Sequence, residues 1–304
     1  MASTRRKSAT KSGARNGSAE KAKAPGPAKI SLMGERKLGR VLVTGASAGI
    51  GAELAREFAS HGHSLVLVAR SRDKLDALAG ELRAAHDTDS LVIEADLSDS
   101  AQLVAVVEQL HDENIDVDIL VNNAGIIDVG PFADAAPDKL QQIIAVNIAA
   151  TTALTSLLLP SMLERRFGRI LNVSSLAGFQ PVPSMAVYAA SKAYVLSLTE
   201  SLAEELRATG VSVTALCPGL TNTSMVASIK ASSDTAKWTP SFLISDPKSV
   251  ARQAYAALMM GQTVVVPGLP NQVAAAWSQV TPRWLLRTVT GFAVRQADWM
   301  QRRA

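Results

Sequence analysis

The chain has 304 residues, 47% of them apolar and 19% charged, which suits one large globular domain with a full core and excludes a fibrous or wholly disordered protein. Its net charge of +4 is unevenly held: residues 1–40 carry eleven Lys/Arg against two Asp/Glu, and the remainder is net −5, so no specific nucleic-acid site is expected in the body of the chain. The single cysteine, Cys217, excludes an intramolecular disulfide and suits a reducing, cytoplasmic setting.

Residues 1–37 are rich in Ser, Ala, Lys and Gly and almost devoid of large apolar side chains. Such a segment cannot bury enough surface to offset its conformational entropy, and it reads as a disordered basic tail without the apolar core of a secretory signal. A solvated tail is the simplest reading; weak contact with nucleic acid or anionic lipid and a transit peptide are the alternatives. Arg40–Thr44 reads as the first strand. It runs into the turn Gly45 to Gly51 (G-A-S-A-G-I-G) and a helix with Ile50, Leu54 and Phe58 at helical spacing. Strand, glycine turn and helix in succession form a phosphate site, because glycines let the backbone approach and the helix start offers free N–H groups.

Ser64–Ala69 is the second strand. Where an acidic residue would bond the ribose 2′-hydroxyl of NAD, Ala69 and Arg70 stand instead, with Arg72 behind; a guanidinium suits a 2′-phosphate and favours NADP over NAD. A helix over about 72–85 leads to a third strand, Ser90–Glu94, and then to Asp96-Leu97, where Asp96 could meet an adenine amine or cap a helix beginning at Ser98-Asp99. Ile119–Val121 is the fourth strand, followed by the small-residue turn Asn122-Asn123-Ala124-Gly125. The helix after Pro137 includes the charge-free run Leu140–Leu163, long enough to span a bilayer. It holds Asn147 and several threonines, so it is expected as a buried helix that also suits a subunit interface. A buried Asn147 must be hydrogen-bonded, as a structural bridge or as a water-holding part of an active site.

Ile170–Val173 is a fifth strand, and Ser174-Ser175 sits where it leaves the sheet. After a loop with Gly178, Pro181 and Pro183, Tyr188 and Lys192 follow four residues apart, on one face of a helix. An ammonium beside a phenol favours the phenolate, making the phenol a general acid or base at working pH, while the Ser175 hydroxyl would hold the reacting oxygen. The helix runs to about Arg207. A strand over Ser212–Cys217, the Pro218-Gly219 turn, and an irregular, charge-poor stretch over 220–245 follow; the last reads as a lid carrying Met225, Ile229, Trp238, Phe242, Leu243 and Ile244. Asp246-Pro247 starts a helix to Met260, and Thr263–Val266 is a final strand. The end, Asn271 to Ala304, sets Trp277, Trp284, Phe292 and Trp299 among Arg283, Arg287, Arg295, Arg302 and Arg303. Packing on its own domain, on a second subunit or on a membrane surface all suit it.

Taken together, T-G-A-S-A-G-I-G (Thr44 to Gly51), N-N-A-G (Asn122 to Gly125), Asn147, Ser175, Y-A-A-S-K (Tyr188 to Lys192) and P-G-L-T-N-T (Pro218 to Thr223) resemble the short-chain dehydrogenase/reductase family in order and spacing. The resemblance spans residues 38–268 and leaves 269–304 as a helical C-terminal extension. It implies a single Rossmann-type α/β domain, with a doubly wound, mainly parallel seven-stranded sheet and helices on both faces, and a homo-oligomer without a metal. By the resemblance, Tyr188 is the acid/base, Lys192 lowers its pKa and binds the nicotinamide ribose, Ser175 orients the carbonyl and Asn147 holds a relay water. Gly45, Ser47, Gly49, Ile50 and Gly51 would cradle the pyrophosphate, with Arg70 at the 2′-phosphate, Asp96 and Leu97 at adenine, and Asn122 and Ala124 at the adenosine side. Pro218, Gly219, Thr221 and Thr223 would meet the nicotinamide end. The resemblance departs at Ser47-Ala48, where NADP-preferring members often carry a basic residue, so the cofactor preference rests on Arg70 with help from Arg72.

The expected activity is NADP-linked interconversion of a secondary alcohol and a ketone. Leu176, Phe179, Val182, Met185, Met225, Trp238 and Phe242 would line a pocket that favours a lipophilic carbonyl. The rival expectation is a nucleotide-binding sensor or scaffold that keeps the fold without turnover.

Overall fold

The structure, a computed structural model, describes residues 39–223 and 244–301, the last nine by backbone alone. The basic tail, and Met225, Ile229, Trp238, Phe242 and Leu243 of the expected lid, lie outside the described residues.

Seven strands form one parallel sheet in the order β3-β2-β1-β4-β5-β6-β7: β1 (Val41–Thr44), β2 (Leu65–Ala69), β3 (Ser90–Glu94), β4 (Ile119–Asn122), β5 (Gly168–Val173), β6 (Val211–Leu216) and β7 (Val264–Val265). The near-continuous apolar runs of β1, β2 and β4 are buried on both faces, as strands covered by helices on either side must be. Helices α1 (Gly49–Ser60), α2 (Arg72–His86) and α7 (Pro247–Met259) pack Leu54, Phe58, Leu75, Leu82, Ala254 and Leu258 onto one face. The other face is covered by α3 (Ser100–Asp112), α5 (Thr151–Glu164) and α6 (Ala186–Glu205), with Leu103, Val106, Leu154 and Met162 in that layer. Chain order reverses between β1 and β4, so their carboxyl ends open the crevice in which such sheets bind ligands.

Two differences from the sequence reading have local causes. β5 begins at Gly168 rather than Ile170, because Gly168 and Arg169 pair with Val211 and Ser212. Glycine is needed there, since a Cβ would stand 2.6 Å from the Met162 sulfur. The long apolar run is not one regular helix: α4 (Pro137–Ile144) passes through a π turn at Ala145–Ala150 before α5, a break of the kind found at functional sites. By length and composition alone Pro137–Glu164 could cross a membrane. In the fold it buries Ile143, Val146, Asn147, Leu154 and Thr155 and exposes Ile144 and Leu157, so it is a half-covered helix rather than a buried one.

A polar bridge ties the layers beneath the crevice. Asn122 Nδ2 donates to Thr155 Oγ1 at 3.0 Å and to Asn172 Oδ1 at 2.9 Å, and Asn172 Nδ2 donates to Thr199 Oγ1 at 2.9 Å. These bonds join β4, α5, β5 and α6 in a place where unpaired amides would cost stability.

Candidate active site

The carboxyl ends of β1, β2, β4, β5 and β6 surround a cleft of ≈ 570 Å³, within the range of small-molecule and cofactor sites. Its floor at β1 is the glycine turn. Gly45 and Gly49 have φ of +64° and +58°, conformations costly for any other residue. Helix α1 starts from Ala48 with no side chain capping it and no acidic residue in its first turn. That leaves free N–H groups and the positive dipole end facing the cleft, and these fit a pyrophosphate. Gly51 does not reach the cleft. A Cβ there would lie 2.4 Å from the Gly45 carbonyl oxygen and 2.4 Å from Asn123 Nδ2, so its role is to let the turn close. Gly51→Ala is expected to cost about 2–3 kcal/mol, read as a lower urea midpoint together with weakened NADPH binding; an unchanged midpoint would show that the turn has slack.

The second asparagine of the N-N-A-G turn fastens this floor. Asn123 Nδ2 donates to the Thr44 carbonyl at 2.8 Å, and the Asn123 and Ala124 N–H groups donate to Thr44 Oγ1 at 2.9 and 3.0 Å. Asn123 and Ala124 line the cleft. Asn122, expected at the adenosine side, is turned into the core by the bridge described above and is 4% exposed. Strand alternation sends neighbouring side chains to opposite faces, a distinction that was available in the sequence once β4 was extended to Asn122.

At the end of β2, Arg70 lines the cleft and is 61% exposed, its guanidinium 3.9 Å from the Asp96 carboxylate. Asp96 holds the next turn together by accepting from the Ser98 N–H at 2.9 Å and the Ser98 hydroxyl at 2.7 Å. These two bonds, ahead of the Arg70 charge, keep its carboxyl below the usual range. Arg72 is not part of the cleft. Its side chain pairs with Asp76 one helical turn on, at 3.1 Å, so the help expected from it is corrected to an ordinary helix-surface pair.

Ser175, Tyr188 and Lys192 meet at the far end. Ser175 caps the short turn Leu176–Gly178 by accepting from the Ala177 N–H at 3.1 Å, and its hydroxyl lies close enough to the Tyr188 phenol to act against the rise that burial causes there. Helix α6 is locked in rotation around this pair. Ser174 Oγ donates to the Lys192 carbonyl at 2.7 Å, and Ser191, whose Oγ donates to the Tyr188 carbonyl within the helix at 2.7 Å, accepts from Asn147 Nδ2 at 3.0 Å. Gly178 packs so closely on Lys192 that a Cβ would stand 2.8 Å from its carbonyl oxygen. Lys192 is 5% exposed, its Nζ donating to the Val173 carbonyl at 2.8 Å and standing 5.7 Å from the centre of the Tyr188 ring.

The electrostatics differ from the sequence expectation. Burial outweighs the Ser175 hydroxyl and pushes the Tyr188 phenol above its ordinary value, while burial takes the Lys192 ammonium down to about 8. The lysine is aimed at Val173 rather than at the phenolic oxygen, so without a ligand it does not acidify the tyrosine. Cys217 behind it is an inert thiol, pushed up to about 12 by burial.

Asn147 does not line the cleft either. It is 1% exposed. Its Oδ1 accepts from the Ile126 N–H at 2.9 Å, and its Nδ2 donates to the Ile126 carbonyl at 3.0 Å and to Ser191 Oγ at 3.0 Å. Placed by the π turn, it couples the wall at Ile126 to the helix carrying Tyr188, and both of its amide hydrogens are committed to that bridge. Gly125 completes the junction, a Cβ there standing 3.3 Å from Lys192 Nζ and 3.5 Å from Asn147 Oδ1.

The remaining wall is apolar, with Ile126, Ile127, Leu176, Val182 and Met185, and one polar side chain that sequence reasoning missed, Gln180. Leu97, Ser47, Ile50, Pro218, Gly219, Thr221 and Thr223 also line the cleft as expected. Phe179 instead packs against Leu196 and Cys217 under β7.

The family model for short chain dehydrogenases matches residues 39–234. The chain is 36% identical over 271 residues to the ketoacyl reductase HetN of a Nostoc species, covering 87% of this chain and 92% of that protein. It is 32% identical over 266 residues to a very-long-chain 3-oxoacyl-CoA reductase of Neurospora crassa, covering 84% and 76%. Among solved structures, a short-chain dehydrogenase from Sphingobium yanoikuyae in complex with NADPH superposes with a TM-score of 0.72 at 35% identity, covering 79% of this chain and 91% of that one.

Proposed function

The chain belongs to the short-chain dehydrogenase/reductase family and is an oxidoreductase of alcohol and keto groups; from that premise we propose that it is an NADPH-linked reductase of lipophilic ketones, with Tyr188 as the proton donor. The observation that carries this reading is the meeting of Ser175, Tyr188 and Lys192 at one end of a cleft whose other end is an uncapped, glycine-lined helix start.

In this reading Gly45, Ser47, Gly49 and Ile50 hold the pyrophosphate, Arg70 the 2′-phosphate, Asp96, Leu97 and Ala124 the adenosine side, and Pro218, Gly219, Thr221 and Thr223 the nicotinamide end. When bound, the nicotinamide supplies the hydride in reduction and accepts it in oxidation. The Ser175 hydroxyl donates to the carbonyl oxygen and fixes its distance from Tyr188. A phenol raised by burial is protonated at neutral pH, so it stands ready as the acid of the reductive direction. Lys192, whose ammonium burial takes down to about 8, would bind a ribose hydroxyl and feed a proton back toward the phenol. Asn147 positions Tyr188 through Ser191 and Ile126. The apolar wall and the two relatives that act on ketoacyl groups support an acyl or other bulky lipophilic ketone. The charge-free part of α5, which exposes Leu157 and whose Thr152 hydroxyl meets the exposed Tyr194 at 2.9 Å, supports pairing with a second copy.

The test is NADPH oxidation with a series of ketones of increasing chain length, run beside NADH. Activity that rises with apolar size supports the reading, whereas activity confined to sugars or small hydroxy acids would end it. Arg70→Ala is expected to raise KM for NADPH by about 10- to 100-fold, the worth of a hydrogen bond between charged groups, and to leave KM for NADH within about twofold. Equal effects on both cofactors would remove Arg70 from the 2′-phosphate.

A further inference from the structure

Beyond the cleft, two helices follow β7: α8 (Leu269–Val280) and α9 (Arg283–Gln301). We infer that the face they present is a docking surface for an anionic lipid bilayer, on which the helices lie in the interfacial plane.

The first observation is an apolar stripe left exposed among the described residues. Leu269, Val273, Trp277 and Val280 recur every three or four residues along α8 and are between 47% and 81% exposed. At about 100° per residue they share one arc, opposite Ala275 and Ser278, the buried positions of that helix. On α9, Trp284 and Phe292 are 62% and 57% exposed, whereas Leu286 on the other side is buried. Exposed apolar side chains at this density mark an interaction site rather than ordinary surface.

The second observation is charge. Residues 41–268 carry 15 Lys/Arg and 24 Asp/Glu, so the body repels an anionic surface. Residues 269–304 carry five Arg and one Asp, and no acidic residue occurs between Leu269 and Ala297. Arg283 and Arg287, both exposed and one turn apart, flank the arc of Trp284 and Phe292. Aliphatic stripe, tryptophans and arginines without acids are the composition of an interfacial helix on anionic lipid. A second copy fits less well, because a two-fold contact would set this arginine-bearing, acid-free face against itself.

The face is rooted at the cleft. Asn271 Nδ2 donates to the Pro267 carbonyl at 2.7 Å, and a Cβ on Gly219 would stand 2.5 Å from Asn271 Oδ1. The start of α8 therefore packs on a residue of the cleft wall.

The experiment is flotation of the full chain with phosphatidylcholine vesicles, with and without phosphatidylserine. The chain is expected to float with the anionic vesicles and to stay behind with the neutral ones. Arg283→Gln/Arg287→Gln lowers the partition coefficient by about fivefold per arginine, from the roughly 1 kcal/mol each contributes near such a surface. Trp277→Ala/Trp284→Ala lowers it by about tenfold or more. Both pairs are surface changes, and an unchanged thermal midpoint shows that the variants are folded. No flotation with anionic vesicles overturns the proposal. So does a tryptophan variant that floats as well as wild type, the result expected if the basic residues 1–37 were the anchor. A lipid-free dimer in sedimentation velocity that the tryptophan variant dissolves would assign the face to a second copy and overturn it equally.

Discussion

Tyr188→Phe lowers kcat for ketone reduction by about 10³-fold or more, the upper part of what a positioned general acid contributes, and leaves the Kd for NADPH within about twofold. The separation of the two effects follows from the geometry. The ring stays where it is, because α6 is held from outside by Ser174 on the Lys192 carbonyl and by Asn147 on the Ser191 hydroxyl, and neither bond involves the phenol. Removing the hydroxyl deletes the Ser175 partner and the transferable proton and nothing else. The glycine turn and Arg70 lie at the other end of the cleft. Single-turnover NADPH oxidation and fluorescence titration of the cofactor measure the two quantities. Full rates in the variant would remove Tyr188 from the proton path. A wild-type protein that binds NADPH as tightly as the variant and oxidises it with no ketone would favour the nucleotide-sensor reading.

The sheet was legible because its strands are buried on both faces. V-L-V-T, L-V-L-V-A and I-L-V-N leave no amphipathic ambiguity, and each ends in the glycine or small residues that a ligand-side turn needs. The cleft was legible for the same reason, since strand ends and turn residues are local patterns. What was not legible depends on long-range packing. Asn122 and Asn123 are neighbours of one type, yet one belongs to the core bridge and the other to the turn. Arg72 looks equivalent to Arg70 until Asp76, four residues on, claims it. The π turn that aims Asn147 at Ile126 has no signal in a run of apolar and small residues. The balance of charge at Tyr188 and Lys192 depends on how much water reaches them. Spacing alone led to the wrong sign for the phenol, because burial acts on it more strongly than an ammonium directed elsewhere.

That burial gives Lys192→Met an unusual pair of effects: a loss of activity of about 10²-fold or more, together with a gain in the stability of the cofactor-free protein. Lowering the lysine from 10.5 to about 8 means that the folded state disfavours the ammonium by about 3 kcal/mol at neutral pH. Methionine removes that cost and fills similar space. It also leaves the Val173 carbonyl without its donor, a loss of about 1–3 kcal/mol, so the expected net gain at pH 7 is about 1 kcal/mol, or a rise of roughly 2–4 °C in Tm. The pH dependence separates this account from simple repacking. Between pH 8 and 10.5 the folded wild-type lysine has released its proton and the unfolded one has not. The unfolded state therefore binds more protons, and wild-type stability rises with pH through that window. The variant lacks this term, so its advantage shrinks from pH 8 upward and reverses near about pH 9, where the remaining penalty no longer exceeds the lost hydrogen bond; above about 10.5 only that loss remains. Urea titrations of both proteins across this range measure the difference directly. A difference that stays constant with pH would mean that the lysine titrates alike in the folded and unfolded chains, and the buried ammonium beside Tyr188 would no longer explain the site.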